Sequence, residues 1–92
     1  MDRIDHLLII LAEECAEVSH RCSKALRFGL SEIQEGQDHT NAERIMQEYD
    51  DLKGVLKMLM DEGALRQPNA RASHRKIEKV EKYLKYSKSI GK

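Results

Sequence analysis

Residues 4–27, IDHLLIILAEECAEVSHRCSKALR, run without a proline or a glycine. Within them Ile4, Leu7, Leu8, Leu11, Cys15, Val18, Cys22 and Leu26 recur at helical spacing. The pattern predicts one long amphipathic helix from Ile4 to about Arg27, ending at Gly29. Beyond it the periodicity lapses, and Gly29, Ser31, Gly36 and Asp38 predict a loop to His39 that carries one helical turn. Thr40-Asn-Ala-Glu43 then has the form of a capping box, in which the hydroxyl and the carboxylate satisfy the first free amides of a second helix. Ile45, Leu52, Val55, Leu56 and Leu59 carry that helix to Glu62, where Gly63 and Pro68 stop it. Gly54 weakens its interior by roughly 1 kcal/mol relative to alanine, which points to close approach of another backbone. A third helix, capped by Asn69 or Ser73, is expected to turn Ile77, Val80, Tyr83 and Leu84 inward. The fold class is all-α: a helical hairpin plus a C-terminal helix, in a single domain over residues 1–92.

A chain of 92 residues buries a low fraction of its surface alone, so a partner subunit is expected on size. Sixteen basic side chains balance sixteen acidic ones, which gives no overall case for nucleic acid or an anionic membrane. The balance is uneven, because Arg71, Arg75, Lys76, Lys79, Lys82, Lys85, Lys88 and Lys92 leave a basic tail on an acidic body. That tail reads as a solvated helix face. Cys15 and Cys22 stand roughly 10 Å apart along one helix, too far for a disulfide within the chain, and read as small buried side chains of a reduced protein. The apolar run Leu7 to Leu11 is too short for a signal-peptide core or a membrane span. A cytoplasmic protein is expected.

The chemistry is concentrated in two acidic pairs, Glu14-Cys-Ala-Glu17 and Glu48-Tyr-Asp-Asp51, one on each of the first two helices. A three-residue step puts both acids of a pair on one helix face. On the first helix Glu14 and Glu17 share a stripe with Arg21 and Lys24. On the second, Glu48 falls among Ile45, Leu52, Val55 and Leu59, with Asp51 at the margin. A carboxylate on a core-facing stripe needs a cation, hydrogen-bond donors or a water-filled cleft. Four such groups brought together point to a hard divalent cation with oxygen ligands. Mg²⁺ suits them because it keeps several waters and completes its shell with substrate phosphates. Arg21, Lys24, Arg27 and Lys53 are candidate phosphate contacts, although such cations also simply solvate a helix.

Glu13-Glu14-Cys-Ala-Glu17 followed by Glu48-Tyr-Asp-Asp51 resembles the Glu-Glu-x-x-Glu and Glu-x-x-Asp signature of the MazG-like, all-α nucleoside triphosphate pyrophosphohydrolases. The resemblance spans about Leu7 to Leu59. Lys24-Ala-Leu-Arg-Phe-Gly-Leu30 also resembles the segment after the first motif in small members, and the connection between the pairs is on the long side for the family. The resemblance implies a four-helix-bundle-type core completed by oligomerisation, as a dimer or a tetramer. It implies Mg²⁺, or Mn²⁺ in its place, held by Glu14, Glu17, Glu48 and Asp51. It further implies hydrolysis of a nucleoside triphosphate between the α and β phosphates to the monophosphate and pyrophosphate. A bound cation neutralises phosphate charge and acidifies water in such chemistry, and Glu13 or Glu17 is the candidate for receiving the proton. Phosphoribosyl-ATP pyrophosphohydrolases share the size and fold and are the alternative within the same chemistry.

Rival readings from other classes are a non-catalytic helical interaction module with solvated acids, and a nucleotide binder on the same fold that has lost catalysis. Glu17-Val-Ser-His20 has the Glu-x-x-His form of di-iron bundles, but no histidine follows Glu48 at that spacing. His6, His39 and His74 read as surface residues. Tyr49 and Phe28 read as packing anchors or base-stacking groups, and Met46, Met58 and Met60 as the edge of a subunit interface.

Overall fold

A computed structural model describes residues 1–92, with three helices and no strand: α1 (Arg3–Phe28), α2 (Asn41–Asp61) and α3 (Ala70–Ser89). Each start is written in side chains. Asp2 caps α1 in a capping box with Asp5, and Thr40 caps α2 in the predicted box with Glu43, its Oγ1 accepting from the Glu43 amide at 3.1 Å. Asn69, rather than Ser73, caps α3 by accepting from the Ala72 amide. The predicted stops at Gly29 and Gly63 both stand, each glycine at a positive φ (96° and 78°) that side chains with a Cβ rarely adopt.

α1 and α2 form an antiparallel hairpin. At one end Arg3 Nε donates to Glu62 Oε1 at 2.8 Å. At the other, the buried Asn41 donates through Nδ2 to the Gly29 carbonyl at 2.8 Å and to Glu32 Oε1 at 3.1 Å. The connecting loop makes no helical turn, contrary to expectation. It makes two hydrogen-bonded turns, Gly29–Glu32 and Gln34–Gln37, and between them Ile33 forms an isolated antiparallel bridge with Thr40. The Glu32 and Leu30 carbonyls, each at 3.0 Å, accept from the Asn41 and Ala42 amides, so loop backbone takes up the first free donors of α2.

Among the shielded positions a seam runs through Ile4, Leu7, Leu11, Glu14, Val18, Arg21 and Ala25 of α1 and Asn41, Ile45, Glu48, Leu52, Val55 and Leu59 of α2, with Lys24, Arg44, Leu56 and Met60 also shielded beside it. Both sets step by three and four, the heptad seam of coiled-coil-like packing. The seam between the helices is thin, and only Leu7, Ala25 and Leu59 form a buried apolar core.

On one flank of the seam lie Leu8, Cys15, Cys22 and Leu26 of α1. Cys22, Ala25, Leu26 and Leu30 line a wholly apolar depression together with Ile45 of α2. The cysteines, expected to be buried, are both exposed on this flank. Nothing within the chain approaches Gly54 either. α3 packs on neither helix of the hairpin, so the expected inner face of Ile77, Val80, Tyr83 and Leu84 is exposed. The accessible surface is 7498 Å², against about 5,500 Å² for a compact folded chain of this mass. No helix is long and apolar enough to cross a membrane.

Candidate metal centre

The hairpin brings carboxylates together at mid-seam. Its antiparallel register, marked at one end by the Arg3–Glu62 pair and at the other by Asn41–Gly29, sets the Glu14 turn of α1 opposite the Glu48–Asp51 turn of α2. One oxygen from each of Glu14, Glu48 and Asp51 lies within 4.8 Å of the others. Glu14 and Glu48 are half-buried and occupy seam positions that, apart from Arg21, Ala25 and Asn41, elsewhere hold leucine, isoleucine or valine, while Asp51 stands at the exposed rim.

Nothing cationic answers these charges. None of the chain's ion pairs involves them, since those pairs are Arg3–Glu62, His39–Glu43, Lys57–Asp61 and His74–Glu78. Glu14 Oε2 is shielded from solvent and has no hydrogen-bond partner. Desolvation, reinforced by the charges of Asp51, Glu48, Glu17 and Glu13 in that order, raises the Glu14 pKa above its ordinary 4.5. A shielded, unpartnered carboxylate oxygen facing two further carboxylates has the donor chemistry of a hard-cation site. Oxygens on opposite sides of Mg²⁺ stand about 4.2 Å apart and those around Ca²⁺ about 5 Å, so three oxygens within 4.8 Å of one another could hold such an ion.

The other expected site residues are placed unequally. Glu17 is one turn beyond Glu14, exposed and outside the group of three, though its charge reaches Glu14. Glu13 is also exposed, and its charge likewise raises the Glu14 pKa. Arg21 interrupts the seam two turns further along, with its Nε shielded and unpartnered. The Lys24 ammonium and Arg27 guanidinium lie 5.8 and 5.0 Å from the centre of the Phe28 ring, and Lys24 borders a small depression with Glu32, Gln34 and Asn41. Lys53 does not join them. It projects roughly 140° around α2 from Glu48, into an outer groove shared with Asp50, Gly54 and Lys57.

The sequence pattern sets Glu14 and Arg21 on a polar stripe with Glu17 and Lys24. The structure puts both in the packing seam. The signal was present in the three-four spacing of Ile4, Leu7, Leu11, Glu14, Val18, Arg21 and Ala25, but Leu8, Cys15, Cys22 and Leu26 compete with it as a second, uninterrupted apolar stripe. Comparison with protein-family models, with curated proteins and with solved structures yields no match to this chain.

Proposed function

We propose that this protein is a Mg²⁺-dependent nucleotide pyrophosphohydrolase of the MazG-like kind, acting in the cytoplasm as a homo-oligomer on a standard or modified nucleoside triphosphate. One observation carries the reading: Glu14, Glu48 and Asp51 converge at mid-seam with a shielded oxygen that no protein group satisfies. A structural role does not account for acids at seam positions, where leucine would stabilise the hairpin.

Glu14, Glu48 and Asp51 would hold the cation, with Glu17 adjacent. Bound there, the ion would supply charge neutralisation and alignment for the phosphate chain. Glu13 or Glu17, both exposed on the same helix, would take the proton from an attacking water. The water oxygen bonds to phosphorus, the bridge between the α and β phosphates breaks, and pyrophosphate departs. Arg21 and Lys24 succeed Glu17 towards the loop and would hold phosphate oxygens, whereas Arg27, roughly 140° around α1 and about 20 Å along it from Glu14, faces away within its own chain. Lys53 faces away within its own chain, so a role for it requires a neighbouring subunit.

The oligomer is supported by surface area. The chain exposes about 2,000 Å² more than a compact monomer of its mass, and a stable interface removes roughly 800 Å² or more from each partner. The expected bundle is completed by a second copy. The test is pyrophosphate release from a panel of ribo- and deoxynucleoside triphosphates, with Mg²⁺ and with chelator, beside the Glu48→Ala protein. Magnesium-dependent turnover lost in the variant supports the reading. Turnover undiminished in Glu48→Ala removes the ligand set, and no turnover of any nucleotide favours a binding module.

A further inference from the structure

α3 is a twenty-residue helix with no partner in its own chain. Ser73, Ile77, Val80, Leu84 and Ser87 step along it by four and three, a narrow apolar stripe bordered by Lys76, Lys85 and Lys88. Ile77 and Leu84 are 59% and 58% exposed, which is untenable for a packed seam and calls for a cover. The hairpin has a matching need. Leu8, Cys15, Cys22 and Leu26 line its open flank on α1, and Ile45 and Tyr49 continue that flank on α2. We infer that α3 of each chain docks, apolar stripe first, along the open apolar flank of the α1–α2 hairpin of a second copy.

Net charge of the two segments, rather than charge on the uncharged flank itself, favours this pairing over its competitors at long range. Residues 70–92 carry eight basic and two acidic side chains, a net +6, whereas residues 1–69 carry eight basic and fourteen acidic ones, a net −6. Pairing α3 with α3, or hairpin with hairpin, sets like charge against like. Pairing α3 with hairpin is the arrangement that joins opposite signs. Length agrees as well, since twenty helical residues span about 30 Å and the flank from Leu8 to Leu26 about 27 Å. Removing both apolar surfaces from water also accounts for the excess area of the isolated chain.

This inference deepens the oligomer part of the proposed function and is independent of catalysis. The native cysteines make it testable, because both lie on the flank that α3 would cover. Two differently tagged full-length chains are co-expressed. One keeps Cys15 and Cys22, and the other carries Cys15→Ser, Cys22→Ser and either Val80→Cys or Leu84→Cys. Sedimentation first establishes the oligomeric state, and mild oxidation with diamide follows. The expected result is an oligomer that yields a mixed-tag disulfide, at least about fivefold more from the position 80 and 84 thiols than from Lys82→Cys on the opposite face of α3. A monomer overturns both the oligomer and this inference. An oligomer with no mixed-tag product, with equal yield from Lys82→Cys, or with disulfides mainly between two position 84 thiols overturns the inference alone. In the last two cases α3 is pairing with itself or meeting some other anionic surface.

Discussion

Glu48→Leu should make this protein more stable without metal and blind to metal. Glu48 sits at a half-buried seam position between Ile45 and Leu52. Fully burying a leucine is worth about 1.5–3 kcal/mol, so half-burial contributes about 1 kcal/mol. Glu48 and Asp51 have carboxylate oxygens within 4.8 Å of each other, a repulsion of about 1 kcal/mol even at the dielectric of water. Together the substitution should add about 2 kcal/mol, or roughly 10 °C in Tm for a chain of this size. The assay is thermal unfolding followed by circular dichroism, at one fixed chain concentration because an oligomer's Tm depends on it. In chelator the variant should melt higher. With Mg²⁺ at a hundred times its Kd the native protein should gain about 2.7 kcal/mol and the variant nothing. A variant that melts lower in chelator, or a Mg²⁺ shift shared equally by both proteins, would refute the reasoning.

Further outcomes follow from the same geometry. In chelator, Glu14 favours its protonated form in the folded state, so the stability it contributes is full below pH 4.5 and is lost as pH rises through its raised folded value; Tm profiles should show the native protein falling relative to Glu14→Gln over that range, and parallel profiles would contradict the shielding of Glu14. Glu43 behaves oppositely, because hydrogen bonds from the Thr40 backbone and side chain hold its pKa down, and its contribution is lost as pH falls through the lowered value. Thr40→Ala should cost about 1 kcal/mol by urea unfolding as a lost N-cap, with a flatter acid limb. Glu17→Gln should lower turnover while leaving Mg²⁺ affinity within about threefold, whereas Asp51→Asn should weaken Mg²⁺ by at least about tenfold, both read by calorimetric titration.

The hairpin was legible because local signals agreed. The Thr40–Glu43 box, the stops at Gly29 and Gly63 and the long uninterrupted run of α1 act within a few residues of themselves. The acidic pairs were legible for the same reason, since helical periodicity alone places two acids of a pair together. What the sequence did not yield depends on contacts between distant segments. The stripe of α1 that faces α2 was ambiguous, as Leu8, Cys15, Cys22 and Leu26 make an equally apolar stripe. Only the register fixed by Arg3–Glu62 and Asn41–Gly29 shows Glu14 and Arg21 to be the residues at the seam. The loop's path answers to the amides of Asn41 and Ala42, a requirement that lies in α2 rather than in the loop. Lys53 reads as a neighbour of Asp51 along the chain, but the helix turns it to the other side.

Phosphorus-31 spectroscopy of a deoxynucleoside triphosphate incubated with the full-length protein and Mg²⁺ tests the central claim most directly, because it reads which bond breaks. The account predicts paired growth of monophosphate and pyrophosphate signals, absent in chelator. Orthophosphate with the diphosphate, or an unchanged triphosphate under conditions where Mg²⁺ binding is established, would contradict it.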